Sequence, residues 1–274
     1  METLILFLIL QTGGMGVDIF ELSGSARAKG MGDAFASVAD DASSIFYNPA
    51  GILNTEKFRI LYMHSELAFE SYFDNVSFVK KPFGISYLRL VSSDIPYIVS
   101  KDTNIYDTTD LYIERINYIS HGIYVSSGFS FKSFNIGANF KVFEQRTKYF
   151  KEKDYKFDLG FFKNFEILSS GILLRDMDFK GNDYSFLYFG LSSLIFKEIL
   201  ISLEIERPFK KDVYKFKSGF EWNFSKYFKL RGGIKEGDFT IGAGILTKFV
   251  EVDYAFIMHS EIPSSHRISV EFFF

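Results

Sequence analysis

Cysteine is absent from the 274 residues, proline occurs 5 times and tryptophan once. Without cysteine there are no disulfides and no lipid-modified N-terminal cysteine, although an oxidising compartment stays compatible with the chain. An excess of one charge is also lacking, since 31 basic and 34 acidic residues leave a formal net charge of -3. No basic stretch is interleaved with stacking aromatics, so nothing points to nucleic acid. The one continuous apolar run, Leu4 to Leu10, is far shorter than the roughly 20 residues of a spanning helix. No G-x-S-x-G elbow occurs. The four histidines, His64, His121, His259 and His266, are dispersed without metal spacing. No metal and no cofactor is expected, and each histidine is expected at a rim or in a polar interior.

Aromatic surface is what the chain has in quantity: 19% of residues, with 34 Phe and 16 Tyr. A soluble domain rarely needs this much Phe, whereas a lipid-facing surface with aromatic girdles does. The sequence reads as β-strands joined alternately by tiny turns and wider polar connections. The tiny turns fall at Lys81-Pro82, Lys132-Ser133, Lys163-Asn164, Lys197-Glu198, Ser225-Lys226 and Lys248-Phe249. The wider connections run from Ser92 to Asn117, Arg146 to Asp154, Asp176 to Asp183, Pro208 to Asp212, Glu236 to Asp238 and Ser260 to Ser265. Successive connections of an up-and-down sheet lie at opposite ends, so one end is trimmed and the other elaborated. Transmembrane barrels of the bacterial outer membrane show that asymmetry.

Six later strands alternate cleanly. One face is apolar, as in Ile201, Leu203 and Ile205, or Phe216, Phe220 and Trp222. The other carries Glu204, Glu206, Lys215, Lys217, Glu221, Lys229, Arg231, Glu251, Asp253, Arg267 and, beyond these, Lys235 and Glu271. Acids and bases balance on this face, and they are expected to form a charge network lining a lumen, with Glu251 and Asp253 beside the strand of Arg267. Less clean strands fall at about Lys57–Glu66, Tyr72–Val79, Phe83–Leu90, Tyr118–Phe131, Phe134–Glu144, Tyr155–Phe162, Glu166–Leu174 and Tyr184–Leu194. The fold class is therefore all-β: a transmembrane antiparallel up-and-down barrel of about fourteen strands, with an interior that something should fill.

The expected organisation is a cleavable signal peptide over 1–16, an N-terminal hatch or plug over 17–55 and a barrel over 56–274. The stretch Val17 to Asn54 is rich in Gly and Ala and does not alternate. Asp40 or Asp41 can cap a short helix running to Tyr47, which Asn48-Pro49 then breaks. Two adjacent carboxylates make a poor calcium site, and Gly30-Met31-Gly32 lacks the context of a dinucleotide loop, so packing is the favoured role. Asp33, Asp40 and Asp41 are expected to meet Lys215, Lys217, Lys229 and Arg231.

Three pieces of this stretch, Ala26-Arg27-Ala28…Gly30-Met31-Gly32, Ala39-Asp40-Asp41-Ala42 and Asn48-Pro49-Ala50-Gly51, resemble the hatch of the long-chain fatty-acid transporter (FadL) family. They are most similar to its shorter PorV/PorQ-like members. The ending, His266 to Phe274, resembles that family's last strand, and the terminal Phe274 resembles the signal by which outer-membrane barrels are recognised for insertion. The resemblance implies a plugged fourteen-stranded barrel in the outer membrane, with membrane lipid and the barrel-assembly machinery as partners. Uptake or passage of hydrophobic small molecules is the function it implies first; a PorV-like scaffold or shuttle engaging secretion-system proteins is the alternative. The chain is shorter than the fatty-acid transporters and lacks their long outer loops. A surface enzyme is a minor alternative, with Glu251, Asp253 and His259 in one strand region but no nameable nucleophile; the expectation is no catalytic site.

Overall fold

A computed structural model of the protein describes residues 19–67, 70–100, 111–178, 185–260 and 262–274. The expected signal peptide lies outside them. Fourteen antiparallel strands close into one barrel in which each pairs with its sequence neighbours and β1 pairs with β14. The first seven are β1 (Arg59–Leu67), β2 (Ser71–Lys80), β3 (Phe83–Ser100), β4 (Leu111–Phe131), β5 (Phe134–Arg146), β6 (Lys151–Asn164) and β7 (Ser169–Met177). The rest are β8 (Phe186–Ile195), β9 (Ile199–Pro208), β10 (Lys215–Trp222), β11 (Phe228–Lys235), β12 (Asp238–Leu246), β13 (Val250–Met258) and β14 (Ser265–Phe273). Closure runs from Arg59↔Phe273 to Glu66↔His266, so β1 and β14 do not leave the barrel wall with a free edge.

The alternation in the sequence becomes an inside and an outside. Ser202, Glu204 and Glu206 on β9 are buried while Ile201, Leu203 and Ile205 are exposed. On β10 and β12 likewise, Phe216, Phe220, Phe239 and Ile241 face outward. Aromatic side chains crowd the end that carries the short turns, the start of β1 and the end of β14. There Lys163 stacks on Phe134 and Phe165, Lys226 on Tyr227 and Lys248 on Phe249. Phe274 is exposed, stacks on Phe58 at 6.5 Å and donates its N–H to the Phe58 carbonyl at 3.0 Å.

Several local expectations are corrected. The wide connection expected over Ser92 to Asn117 is instead mostly a continuation of β3 and β4. Past a bulge between Ser92 and Ile95, the ladder resumes from Ile95↔Ile116 to Ser100↔Leu111. The alternation breaks at the bulge, which hid the strands in the sequence; Asp94 sits there with φ 61°. Lys163-Asn164 end β6 rather than turn, and the turn lies at 165–168, closed by Phe165 N–H to the Leu168 carbonyl at 2.8 Å.

Between residue 19 and β1 the chain forms α1 (Ile19–Leu22), α2 (Ala26–Gly30), α3 (Ser44–Tyr47) and a 3-10 turn, Pro49–Asn54. The expected helix capped by Asp40 or Asp41 is thus a single turn. Asp41 instead accepts the Ser43 N–H at 2.8 Å, two residues on. Almost every residue from 25 to 52 is buried. α2 packs on β11 to β14 and the 3-10 turn on β4 to β6. Between them Ser37 meets β8 and β9 through Ser192 and Ser202. A segment touching strands on opposite arcs of a closed ring lies within it.

Candidate functional site

The inward rows of the strands and the segment 19–54 together build the one densely charged region of the described residues. Arg27 on α2 is its hub. Its Nε and Nη2 donate to Glu221 at 2.8 and 3.0 Å, and its Nη1 reaches Asp40 at 2.6 Å and Asp41 at 2.9 Å. Glu221 also accepts from Arg231 Nε at 2.7 Å. Arg231 continues to Asp253 at 2.7 Å and Glu251 at 3.0 Å, and Lys229 reaches Glu251 at 2.6 Å. Arg231 spans from β11 to β13 because the inward positions of the intervening β12 are Gly242 and Gly244. A Cβ on Gly244 would lie 2.5 Å from Asp253 Oδ1 and 2.7 Å from Arg231 Nη1.

Carboxylates of the wall also hold the segment's backbone. Glu204 Oε2 accepts the N–H groups of Phe35 and Ala36 at 3.1 and 2.8 Å, and Glu271 Oε1 accepts that of Ala42 at 2.8 Å. These donors would otherwise be orphaned in a buried segment with little regular structure. Lys217 binds Glu204 at 3.1 Å and Glu206 at 2.9 Å, and Lys215 binds Glu236 at 2.8 Å.

Of the twelve wall residues expected from the sequence, eleven join ion pairs and Arg267 joins none among the described residues. Glu251 and Asp253 turn away from Arg267 toward β11, where the glycine gap gives Arg231 the shorter path. The segment's aspartates also choose other partners than expected. Asp40 and Asp41 pair with Arg27 of their own segment, which lies nearer than any wall lysine. Asp33 pairs with Lys235 at 2.9 Å and Lys29 at 3.1 Å and accepts the Tyr47 hydroxyl at 2.6 Å. Burial pushes the Asp33 carboxyl up, but Lys235, Lys29 and Lys217, with the Tyr47 hydroxyl, hold it well below the usual carboxylate range.

A second cluster on the opposite wall went unread in the sequence. Lys141 on β5 is fully buried between Asp158, at 2.6 Å, and Asp176, and its ammonium lies 4.8 Å from the Phe20 ring centroid. Asn139 bridges Asp158 to the Ile45 carbonyl, both at 2.8 Å. The consecutive charges Lys151 to Asp154 on β6 and the adjacent Arg175-Asp176 on β7 fall on both faces, so no single charged face stood out.

Glycine shapes the contact between wall and segment. A Cβ on Gly171 would collide with the Ala36 carbonyl, on Gly219 with the Met31 carbonyl, on Gly160 with Asn48 and on Gly137 with Pro49-Ala50. Mid-strand glycines on the inward row let two backbones touch. Asn48 fixes its part of the segment by donating to the Ala36 and Phe161 carbonyls, both at 3.0 Å, and accepting the Ala50 N–H at 3.1 Å. A polar cavity of about 60 Å³ lies between the segment and β7 to β11, lined by Asp33, Tyr47, Arg175, Tyr188, Glu206 and Lys235 among others.

Three histidines lie elsewhere than in the interior. His64, His121 and His266 sit on the outer face, bonded to Asp74, the Tyr87 hydroxyl and the Tyr254 hydroxyl at 2.8, 2.6 and 2.7 Å. His259 stands at the end of the barrel opposite the short turns, beside Asp238 and Ser265, and not beside Glu251 or Asp253.

A closed antiparallel barrel of fourteen strands with charge inside and apolar residues outside is the fold class of outer-membrane channels. Residues 15–158, just over half of the chain, match the profile of the Uncharacterised protein family (UPF0164), and the chain belongs to that family. No curated protein matches it. Among solved structures it is similar to the TodX deltaS2S3 mutant monoaromatic hydrocarbon channel, with a TM-score of 0.64 and 9% identity, covering 92% of this chain and 99% of that one. The TodX deltaS2 mutant gives 0.59 and 11%, covering 93% and 98%. A FadL homologue of Pseudomonas aeruginosa gives 0.55 and 8%, covering 91% and 98%. At these identities the likeness is one of fold, and it meets the expected resemblance to the FadL family at that level.

Proposed function

We propose that the protein is an outer-membrane channel through which hydrophobic small molecules pass, with residues 19–54 as its plug. The observation that carries this reading is the inverted barrel, which buries an extended network of ion pairs and exposes Phe, Ile and Leu along successive strands. In water such a surface is a far larger apolar patch than a soluble protein tolerates, whereas in lipid it is the solvated face. Strands β8 to β14 have 8 to 10 residues, close to the roughly 9–11 that cross a bilayer core. The Phe and Lys crowded at the end with short turns suit the periplasmic interface, where rings sit at headgroup level and lysines reach water.

Three features favour apolar cargo over ions. The wall charges neutralise one another, so no excess of one sign selects an ion. The interior is filled, so passage requires the segment to shift. The fold is also that of monoaromatic hydrocarbon channels and of a FadL homologue.

The test is uptake of a labelled monoaromatic hydrocarbon and of a labelled long-chain fatty acid by cells that lack other channels for them. Expression of the full chain is expected to raise uptake of at least one. Removing residues 17 to 47 is expected to leave an assembled barrel with enlarged, nonselective conductance in planar bilayers. Uptake unchanged by expression of a surface-assembled protein contradicts the channel reading.

A further inference from the structure

Three side chains at the end of the barrel opposite the short turns form a chain that the transport reading does not use. His259 follows β13, Asp238 opens β12 and Ser265 opens β14. His259 Nδ1 lies 2.6 Å from Asp238 Oδ2, and its Nε2 lies 3.0 Å from Ser265 Oγ. The second Asp238 oxygen accepts the Ser260 N–H at 3.1 Å, which fixes the carboxylate plane. A carboxylate on Nδ1 holds the proton there, so Nε2 is left to accept the serine hydroxyl. Nucleophile, base and orienting carboxylate thus stand in the geometry of acyl-transfer sites, whatever their order in the chain.

A second observation lies on the same strand. Arg267 is two residues beyond Ser265 on the same inward row and is 4% exposed. Its Nε and Nη1 are buried and have no hydrogen-bond partner. The other buried bases among the described residues, Arg27, Lys29, Lys141, Lys217 and Arg231, all have carboxylate partners. Opposite Arg267 on β1, the Ser65 hydroxyl is likewise buried and unpartnered. The Asp33 carboxylate acts on this guanidinium only from beyond ion-pair distance, and a buried guanidinium with no ion pair is costly. Next to a serine in hydrogen-bond contact with a histidine, its free donors suit an oxyanion that forms only during reaction.

We propose that Ser265, His259 and Asp238 form a hydrolytic site for carboxylic esters, with Arg267 as donor to the oxyanion. Ser265 Oγ bonds to the acyl carbon as its proton passes to His259 Nε2, and the carbonyl electron pair moves onto oxygen beside Arg267. Collapse breaks the bond to the alcohol oxygen, which leaves with the proton from His259. Water then adds to the acyl carbon, giving a proton to His259. The bond to Ser265 breaks, its oxygen regains that proton, and a carboxylic acid leaves. Asp238 is a positioning residue. The buried Ile257, opposite Ser265 on β13, provides an apolar wall for the acyl group.

The site is tested without any transport assay. The full-length, detergent-solubilised protein is treated with a small serine-directed phosphonofluoridate and, separately, with p-nitrophenyl butyrate. The expected result is one phosphonyl adduct on the peptide containing Ser265, absent from Ser265→Ala and formed at least tenfold more slowly in His259→Gln. Asp238→Asn should displace the pH profile of labelling and Asp238→Glu should restore it, which a merely structural carboxylate would not do. Heat-modifiable migration verifies that each variant retains its barrel. A folded parent with no adduct at Ser265 overturns the proposal, as does labelling at an unchanged rate in His259→Gln. Loss of thermal stability in Ser265→Ala, with no adduct in the parent, reduces the three residues to a clamp on the rim.

Discussion

Replacing Arg27 by Ala should release the N-terminal segment without dismantling the barrel. The side chain is buried and reaches three carboxylates. Asp40 is 48% exposed, so its bond to Arg27 is screened and contributes little. Glu221 and Asp41 are buried, and truncation strips each of a cation. Breaking a buried pair from one side costs about 3–5 kcal/mol. Both carboxylates keep other partners, Arg231 for Glu221 and the Ser43 N–H for Asp41, which places the loss near the lower limit. About 3 kcal/mol is roughly a hundredfold change in the ratio of undocked to docked segment. The barrel ladders do not involve Arg27, so the change should stay local. Proteolysis within residues 26–48, under conditions where opening is fast relative to cleavage, reads that ratio. We expect cleavage about a hundredfold faster than in the parent, by the same arithmetic, and partial recovery when Glu221→Gln removes the stranded charge. Cleavage at the parental rate would show that Arg27 does not hold the segment.

Three further outcomes follow from the same geometry. Gly171→Val should still give a heat-modifiable barrel but should expel the segment, because its Cβ meets the Ala36 carbonyl rather than a movable side chain; raised ionic conductance is expected, and conductance equal to the parent's contradicts the contact. Because the Asp33 carboxyl is held below its usual range, the stability it contributes is present above the unfolded value, roughly pH 4. That contribution is lost as pH falls through the folded value, so the advantage of the parent over Asp33→Asn in protease resistance of the segment should be flat from pH 8 to about 5 and shrink only below about 4; an advantage that shrinks between pH 7 and 6 contradicts this. Deleting Phe274, which stacks on Phe58 where β14 meets β1, should lower outer-membrane assembly before it affects uptake by the barrels that do assemble, and normal yields of inserted protein would count against its role as the insertion signal.

Strand number and the sense of the barrel were legible because both follow from period-two alternation, which survives in each later strand. The extensions of β3 and β4 were not, since one bulge at Ser92 to Ile95 inverts the faces and makes a long ladder look like a loop. The wall residues could be named from alternation, but their partners could not. Arg231 reaches across β12 through the space left by Gly242 and Gly244, a consequence of two missing side chains that adjacency rules do not anticipate. The inward glycines of β5 to β8, β10 and β11 were visible in the sequence, one per strand, and their meaning was not. Each marks a place where the segment passes close to the wall, and only the folded segment shows which part of it. The meeting of Asp238, His259 and Ser265 depends on three strand ends converging at one rim, so spacing along the chain carries no trace of it.

The central claim is that the segment within the barrel must move for cargo to pass. Ser37 and Ser202 test it directly, since their hydroxyl oxygens lie 3.4 Å apart, one on the segment and one on β9. The chain contains no cysteine, so Ser37→Cys with Ser202→Cys creates a single unambiguous disulfide. Uptake of labelled hydrophobic cargo should stop in oxidised cells and return on reduction, while either single variant takes up cargo at the parental rate. Undiminished uptake through quantitatively cross-linked barrels would contradict the account.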